Sequence, residues 1–141
     1  MNWSERFVAL AEEDRLPQLR HKVQERLRFA GVAEEVVNHT GLLLSELAHN
    51  AVSASKGGRS LMVEVERVPD GVRLLVECEA NRDLEGLQKA LESSTELPSP
   101  NSERGRGLWL VLTLSRGLRV EKTEKGWVRV SLIVPGPEAA E

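Results

Sequence analysis

The chain has 141 residues, enough for one domain with its own core, and at 40% hydrophobic and 29% charged its composition is that of an ordinary globular protein. A formal net charge of −3 argues against broad nucleic-acid binding, which needs a strongly basic surface. No apolar run reaches membrane-spanning length, the N-terminus lacks a basic-then-apolar leader, and the single cysteine, Cys78, can form neither an internal disulfide nor a thiolate metal cluster, so a cytoplasmic location away from membranes is expected.

In chain order, the apolar-leaning stretch Phe7 to Ala11 predicts a short edge strand. Leu16, Leu19, Val23 and Leu27 recur at helical spacing and predict a first helix over 16–29, with Pro17 in its first turn and Gly31 just past its end. Arg15, Arg20, Lys22, Arg26 and Arg28 cluster along it; such a cluster is either a solvated face or a surface for an acidic protein partner. A second helix is predicted from about Ala33 to Ser55, opened by Glu34 and Glu35 and stopped by Lys56-Gly57-Gly58. The period then changes to two. Leu61, Val63 and Val65, the turn Pro69-Asp70-Gly71, and Val72, Leu74, Val76 and Cys78 predict a hairpin with one buried face. Asp83 to Glu92 reads as a short helix, Ser93 to Arg104 as a mobile loop, and Leu108 to Leu114 as a helix closed by Gly117. Leu118 to Lys122 and Trp127 to Val134 predict a second hairpin. Residues 1–6 and 135–141 are expected to fray, and 1–141 to form one domain. Because helices do not alternate with single strands, the expected architecture is an α+β two-layer sandwich, with helices on one face of a mixed, mainly antiparallel sheet.

The second predicted helix holds the most informative residues. From Thr40 to Ser55 it has one formally charged side chain, Glu46. Isolated carboxylates are expensive to bury. Glu46 and Asn50 stand about 40° apart on the helical wheel, one turn from each other at the edge of the apolar stripe. The plain reading is a helix with one partly solvated Glu and a hydrogen-bonded Asn. The alternative is a helix lining a pocket. There, carboxylate and amide oxygens suit hydrated Mg²⁺, and the carboxylate can orient or deprotonate an attacking hydroxyl. Gly105-Arg106-Gly107 supplies a third part. It opens a helix, where free backbone N–H groups attract anions and glycine lets a phosphate approach. No Gly-Lys-Ser/Thr follows, so it is not a P-loop.

Together these stretches resemble a known family. Ser45-Glu-Leu-Ala-His-Asn-Ala is similar to the N-box of the histidine-kinase-like (GHKL) ATPases, with its Glu-x-x-x-Asn core. Arg104-Gly-Arg-Gly-Leu-Trp-Leu-Val resembles that family's second glycine box, and Leu16-Pro-Gln-Leu-Arg20 resembles the anti-sigma-factor serine kinases of bacteria and their partner-switching relatives. The resemblance runs from about Phe7 to Val134 and implies the Bergerat fold. It implies that Glu46 is the catalytic base and Asn50 the Mg²⁺ ligand. Gly105, Arg106 and Gly107 would bind the ATP phosphates, and Arg20 would lie on the surface that meets protein partners. Those relatives bind a sigma factor, phosphorylate a serine on an antagonist protein, and often act as homodimers.

One position departs from the family pattern. The first glycine box, Asp-x-Gly, follows the second strand of the hairpin, and its aspartate accepts a hydrogen bond from the adenine amino group. Here Cys78 stands at the aspartate position and Ala80 at the glycine position. A thiol is a poor acceptor. Glu79 falls on the other face of a regular strand unless a bulge intervenes. The sequence is thus expected to encode an anti-sigma-factor-like regulator that acts by binding protein partners, with ATP and Mg²⁺ binding weakened or lost at the adenine end. An active serine-protein kinase and a nucleotide-independent binding module are the alternatives.

Overall fold

The period-two stretches of the sequence become neighbouring strands of one sheet. In the computed structural model, residues 3–54, 60–79, 110–123 and 127–136 are described. Five strands, β1 (Trp3–Leu10), β2 (Ser60–Val68), β3 (Gly71–Glu79), β4 (Arg116–Lys122) and β5 (Trp127–Pro135), are ordered β1-β2-β3-β5-β4. All four pairings are antiparallel, so among the described strands the sheet is not mixed. Alternation along each strand sends Leu61, Val63, Val65, Val72, Leu74, Val76 and Cys78 to one face, where all are buried. Met62, Glu64, Glu66, Arg73, Leu75 and Glu77 border a hollow on the opposite face.

Two helices cover the buried face. α1 (Leu16–Phe29) follows a single 3₁₀ turn at Glu13–Arg15 and has Pro17 in its first turn, as its sequence predicts. α2 (Glu34–Ala54) packs over β3 and β5, with α1 beside it against β1. Leu19, Val23 and Leu27 of α1 and Val37, Leu43, Leu44, Leu47 and Ala51 of α2 join the buried strand residues in one core. Fully burying side chains of this size contributes about 1.5–3 kcal/mol each before the entropy cost of ordering them. Residues 110–114 are helical, and Val111 also enters the core. The described helices include none long and apolar enough to cross a membrane.

Expectations about both ends of the chain and about Gly117 are corrected. Pro135, expected to fray, is the last residue of β5 and pairs with Gly71. Trp3–Arg6, expected to fray, form the first half of β1 and pair with Glu64–Arg67 of β2. Gly117, expected to close the preceding helix, lies inside β4 at φ +66°, where the register shifts between Arg116 and Arg119. A left-handed residue serves a helix end and a strand bulge equally well, which is why the glycine alone does not distinguish them. The short helix over 83–92, the loop over 93–104, Gly105 to Gly107 and Trp109 lie outside the described residues.

Candidate functional site

The site grows from the middle of α2. Leu43, Leu44, Leu47, Ala48 and Ala51 are buried, whereas Ser45 and Glu46 are half-buried. Glu46 therefore sits at the margin of the apolar stripe, as the helical wheel predicts. Among the described residues it has no hydrogen-bond or ion-pair partner. Asn50 follows one turn later on the same helix; its side chain lies outside the described set.

Arg20 approaches this helix from α1. Its Nη1 donates to Ser45 Oγ at 3.2 Å, one residue from Glu46. One turn on, Gln24 Nε2 donates to the Val37 carbonyl at 3.2 Å. Gly41 makes both contacts possible. A Cβ there would overlap the Gln24 amide and come within 3.0 Å of Arg20 Nε. Val37, Gly41 and Ser45 are spaced four apart on α2, opposite Arg20 and Gln24, also four apart on α1. Sequence reasoning identified Arg20 but missed this polar seam, although the matched spacing is a signal for it.

Three of the other four cations of the basic cluster are engaged within the chain, Lys22 being the exception among the described residues. Arg26 bonds the Glu5 carboxylate at 3.0 Å and stacks over the Phe29 ring, Arg28 pairs with Glu34 at 2.8 Å, and Arg15 lies 3.8 Å from Glu12. The Arg28 guanidinium hydrogen-bonds Glu34 and holds its carboxyl below the usual range, while the carboxylate raises Arg28. At the far end of α2, His49 Nδ1 lies 2.8 Å from Glu13 Oε1, tying the helix to the turn that precedes α1.

Cys78 lies near the end of β3, 2% exposed, opposite Leu61 on one side and Val128 on the other. It is not in a disulfide. The β3–β5 ladder continues without a register shift through Glu79, so no bulge moves Glu79 into the helix-facing row. Glu77, on the opposite face, is 3.5 Å from Arg129. The structure thus joins Arg20 to Ser45, the residue before Glu46, and puts Cys78 on a strand that α2 covers. Gly105, Arg106, Gly107 and Ala80 lie outside the described residues; the hollow over the open face of the sheet and the groove beside β1 are lined by neither Glu46 nor Cys78.

A family profile described as "Histidine kinase-like ATPase domain" matches residues 9–132. The chain belongs to this family. Among solved structures the domain is similar to "The crystal structure of the RsbU and RsbW domains of Rv1364c from Mycobacterium tuberculosis", with a TM-score of 0.61 at 12% identity. The match covers 95% of this chain and 32% of that one, and at such identity the likeness is one of fold. None of the curated proteins matches the chain in sequence.

Membership in a family of ATPases implies ATP, commonly with Mg²⁺, and the residues fit that group unevenly. Mg²⁺ keeps several waters and takes few protein oxygens, so an amide and a nearby carboxylate are an adequate protein share beside phosphates. Glu46, half-buried and unpartnered among the described residues, fits that half. The described residues hold no group of three or more His, Cys, Asp or Glu of the kind that encloses zinc. Cys78, a buried thiol between two aliphatic ladder partners, is a poor hydrogen-bond acceptor.

Proposed function

We propose that this histidine-kinase-like ATPase domain is an anti-sigma-factor-like regulator, working by binding a sigma factor or an antagonist protein, with the metal-and-base half of its nucleotide site kept and the adenine half degenerate. The observation that carries the reading is Cys78, buried at the helix-facing end of an unbroken β3 ladder. Loss of a charge-assisted hydrogen bond there costs about 1.5–3 kcal/mol, roughly ten- to a hundredfold in affinity. The RsbW domain named for the structural neighbour and the resemblance of Leu16-Pro-Gln-Leu-Arg20 to anti-sigma-factor serine kinases support the regulatory part. Within this proposal Asn50 is the residue that holds Mg²⁺, Gly105, Arg106 and Gly107 receive the phosphates, and Arg20 contacts the partner. When bound, the nucleotide would supply a transferable phosphoryl group; this chain's part is to orient it and, through Glu46, to take a proton from an attacking hydroxyl.

Titration calorimetry with Mg-ATP tests the adenine claim. The wild-type chain is expected to bind weakly or not at all, and Cys78→Asp to gain about tenfold or more. Micromolar binding by the wild type that Asn50→Ala abolishes would overturn it. A second reading, an active serine-protein kinase, is favoured by the half-buried Glu46 carboxylate, which has no partner among the described residues. It predicts γ-phosphate transfer to a co-encoded antagonist, lost in Glu46→Gln. Absence of transfer to every such partner decides against it.

A further inference from the structure

Among the described residues the sheet ends at β1, and α1 lies alongside it. Between them runs a groove of about 900 Å³. We propose that this groove is a docking site for an extended, acidic segment of a partner protein, which adds to β1 as a further strand. The inference goes beyond the nucleotide reading and needs neither ATP nor Arg20, which faces α2 instead.

Three observations carry it. The first is the backbone. β1 is eight residues long, has no proline, and keeps an unbroken register with β2 from Trp3 to Leu10. In an antiparallel strand paired on one side only, alternate N–H and C=O groups point outward, a template for strand addition. The second is apolar exposure. Val8 and Leu10, two apart on the same side of the strand, are 69% and 41% exposed. Alternate side chains of an added strand would cover such a pair. The third is charge. On its α1 side the groove is bordered by Arg15 and Lys22 against a single carboxylate, Glu25, which already pairs with His21 at 3.1 Å; Arg6 lies on the other face of the strand, with Val8 and Leu10. Lys22 has no partner among the described residues. The pairs made by Arg6 with Glu64 at 3.5 Å and Arg15 with Glu12 at 3.8 Å join exposed side chains and are cheaply exchanged.

The same charge selects the occupant. A second copy of the chain would bring the same cations, Arg15 and Lys22, to the joint and so add to their charge, whereas an acidic segment offsets it. An extended segment alternating aliphatic and acidic residues would satisfy the backbone, Val8 and Leu10, and the cations together.

The test uses the full chain and a fluorescein-labelled peptide of about eight residues alternating Val with Glu. Fluorescence anisotropy is read with and without Mg-ATP. The expected result is saturable binding at moderate salt, equal in both conditions. It should be weakened about tenfold or more by Arg15→Glu/Lys22→Glu. A peptide N-methylated at alternate positions, which keeps its charge but cannot pair as a strand, should not bind from its methylated edge. Because that control alters only the peptide, it does not depend on any variant folding. No binding of the unmodified peptide, equal binding of the N-methylated one, or indifference to the double charge reversal would each overturn the proposal. So would a dimer in sedimentation analysis that Val8→Lys dissociates, since the edge would then belong to a second copy.

Discussion

At Gly41, α1 and α2 approach closely because one of them has no side chain at that point. Two consequences of replacing it can be weighed against each other. Alanine would displace the Gln24 amide and forfeit its bond to the Val37 carbonyl, a loss of about 1 kcal/mol. It would also remove a mid-helix glycine, a gain of about 1 kcal/mol. Gly41→Ala is therefore expected to be nearly neutral in urea denaturation. Gly41→Leu cannot be accommodated by turning one flexible amide, and should lower stability by about 1–3 kcal/mol. It should also break the contact of Arg20 with Ser45, so a partner that depends on Arg20 would bind Gly41→Leu and Gly41→Ala differently. Cys78 poses the opposite problem. The aspartate of the proposed Cys78→Asp test would lie among Leu61, Val128 and the core, and would weaken the nucleotide-free fold by about 1–3 kcal/mol.

The helices are joined by a short turn, and Arg28 and Glu34 clamp across it with a guanidinium–carboxylate pair at 2.8 to 3.1 Å. The hydrogen bond from Arg28 keeps the folded-state pKa of Glu34 below its ordinary value. A depressed carboxyl contributes stability that is present above its unfolded pKa and disappears as pH falls through the folded one. Both groups are fully solvated, so the contribution is small and screened by salt. Glu34→Gln should therefore lower the thermal midpoint slightly at neutral pH and low salt. The difference should close on acidification below about pH 4 and in high salt, as followed by circular dichroism. A difference that persisted in acid would mean that the clamp acts through something other than charge.

At the scale of the whole molecule, the inner strands were the most legible part. Leu61 to Cys78 alternates cleanly because one face packs under α2 and the other does not. The helix limits were legible for local reasons, Pro17 at one end of α1 and Gly31 past the other. The first half of β1 was not, since an edge strand is half solvated and Trp3-Ser4-Glu5-Arg6 carries little alternation; only its partner β2 reveals it. For the site, the marginal position of Glu46 and the helix-facing position of Cys78 follow from periodicity alone. The seam of Arg20 with Ser45 does not, because it depends on how two helices lie against each other. Hydrogen exchange should reflect the same order. Amides of β3, flanked by β2 and β5 and covered by α2, are expected to exchange slowest, and those facing outward on β1 fastest.

The strand order β1-β2-β3-β5-β4 also has a kinetic meaning. Two of its four ladders, β2 with β3 and β4 with β5, close across short turns and can form within microseconds. The other two require the chain to return over long distances: β1 to β2 across both helices, and β3 to β5 across residues 80–126. Loop closure of that length comes before its contacts repay it, so joining the two hairpins along β3 and β5 is the step expected to limit the folding rate. Substitutions of Val76 or Val130 at that joint should slow refolding, whereas those at the outer edge of β1 should mainly speed unfolding.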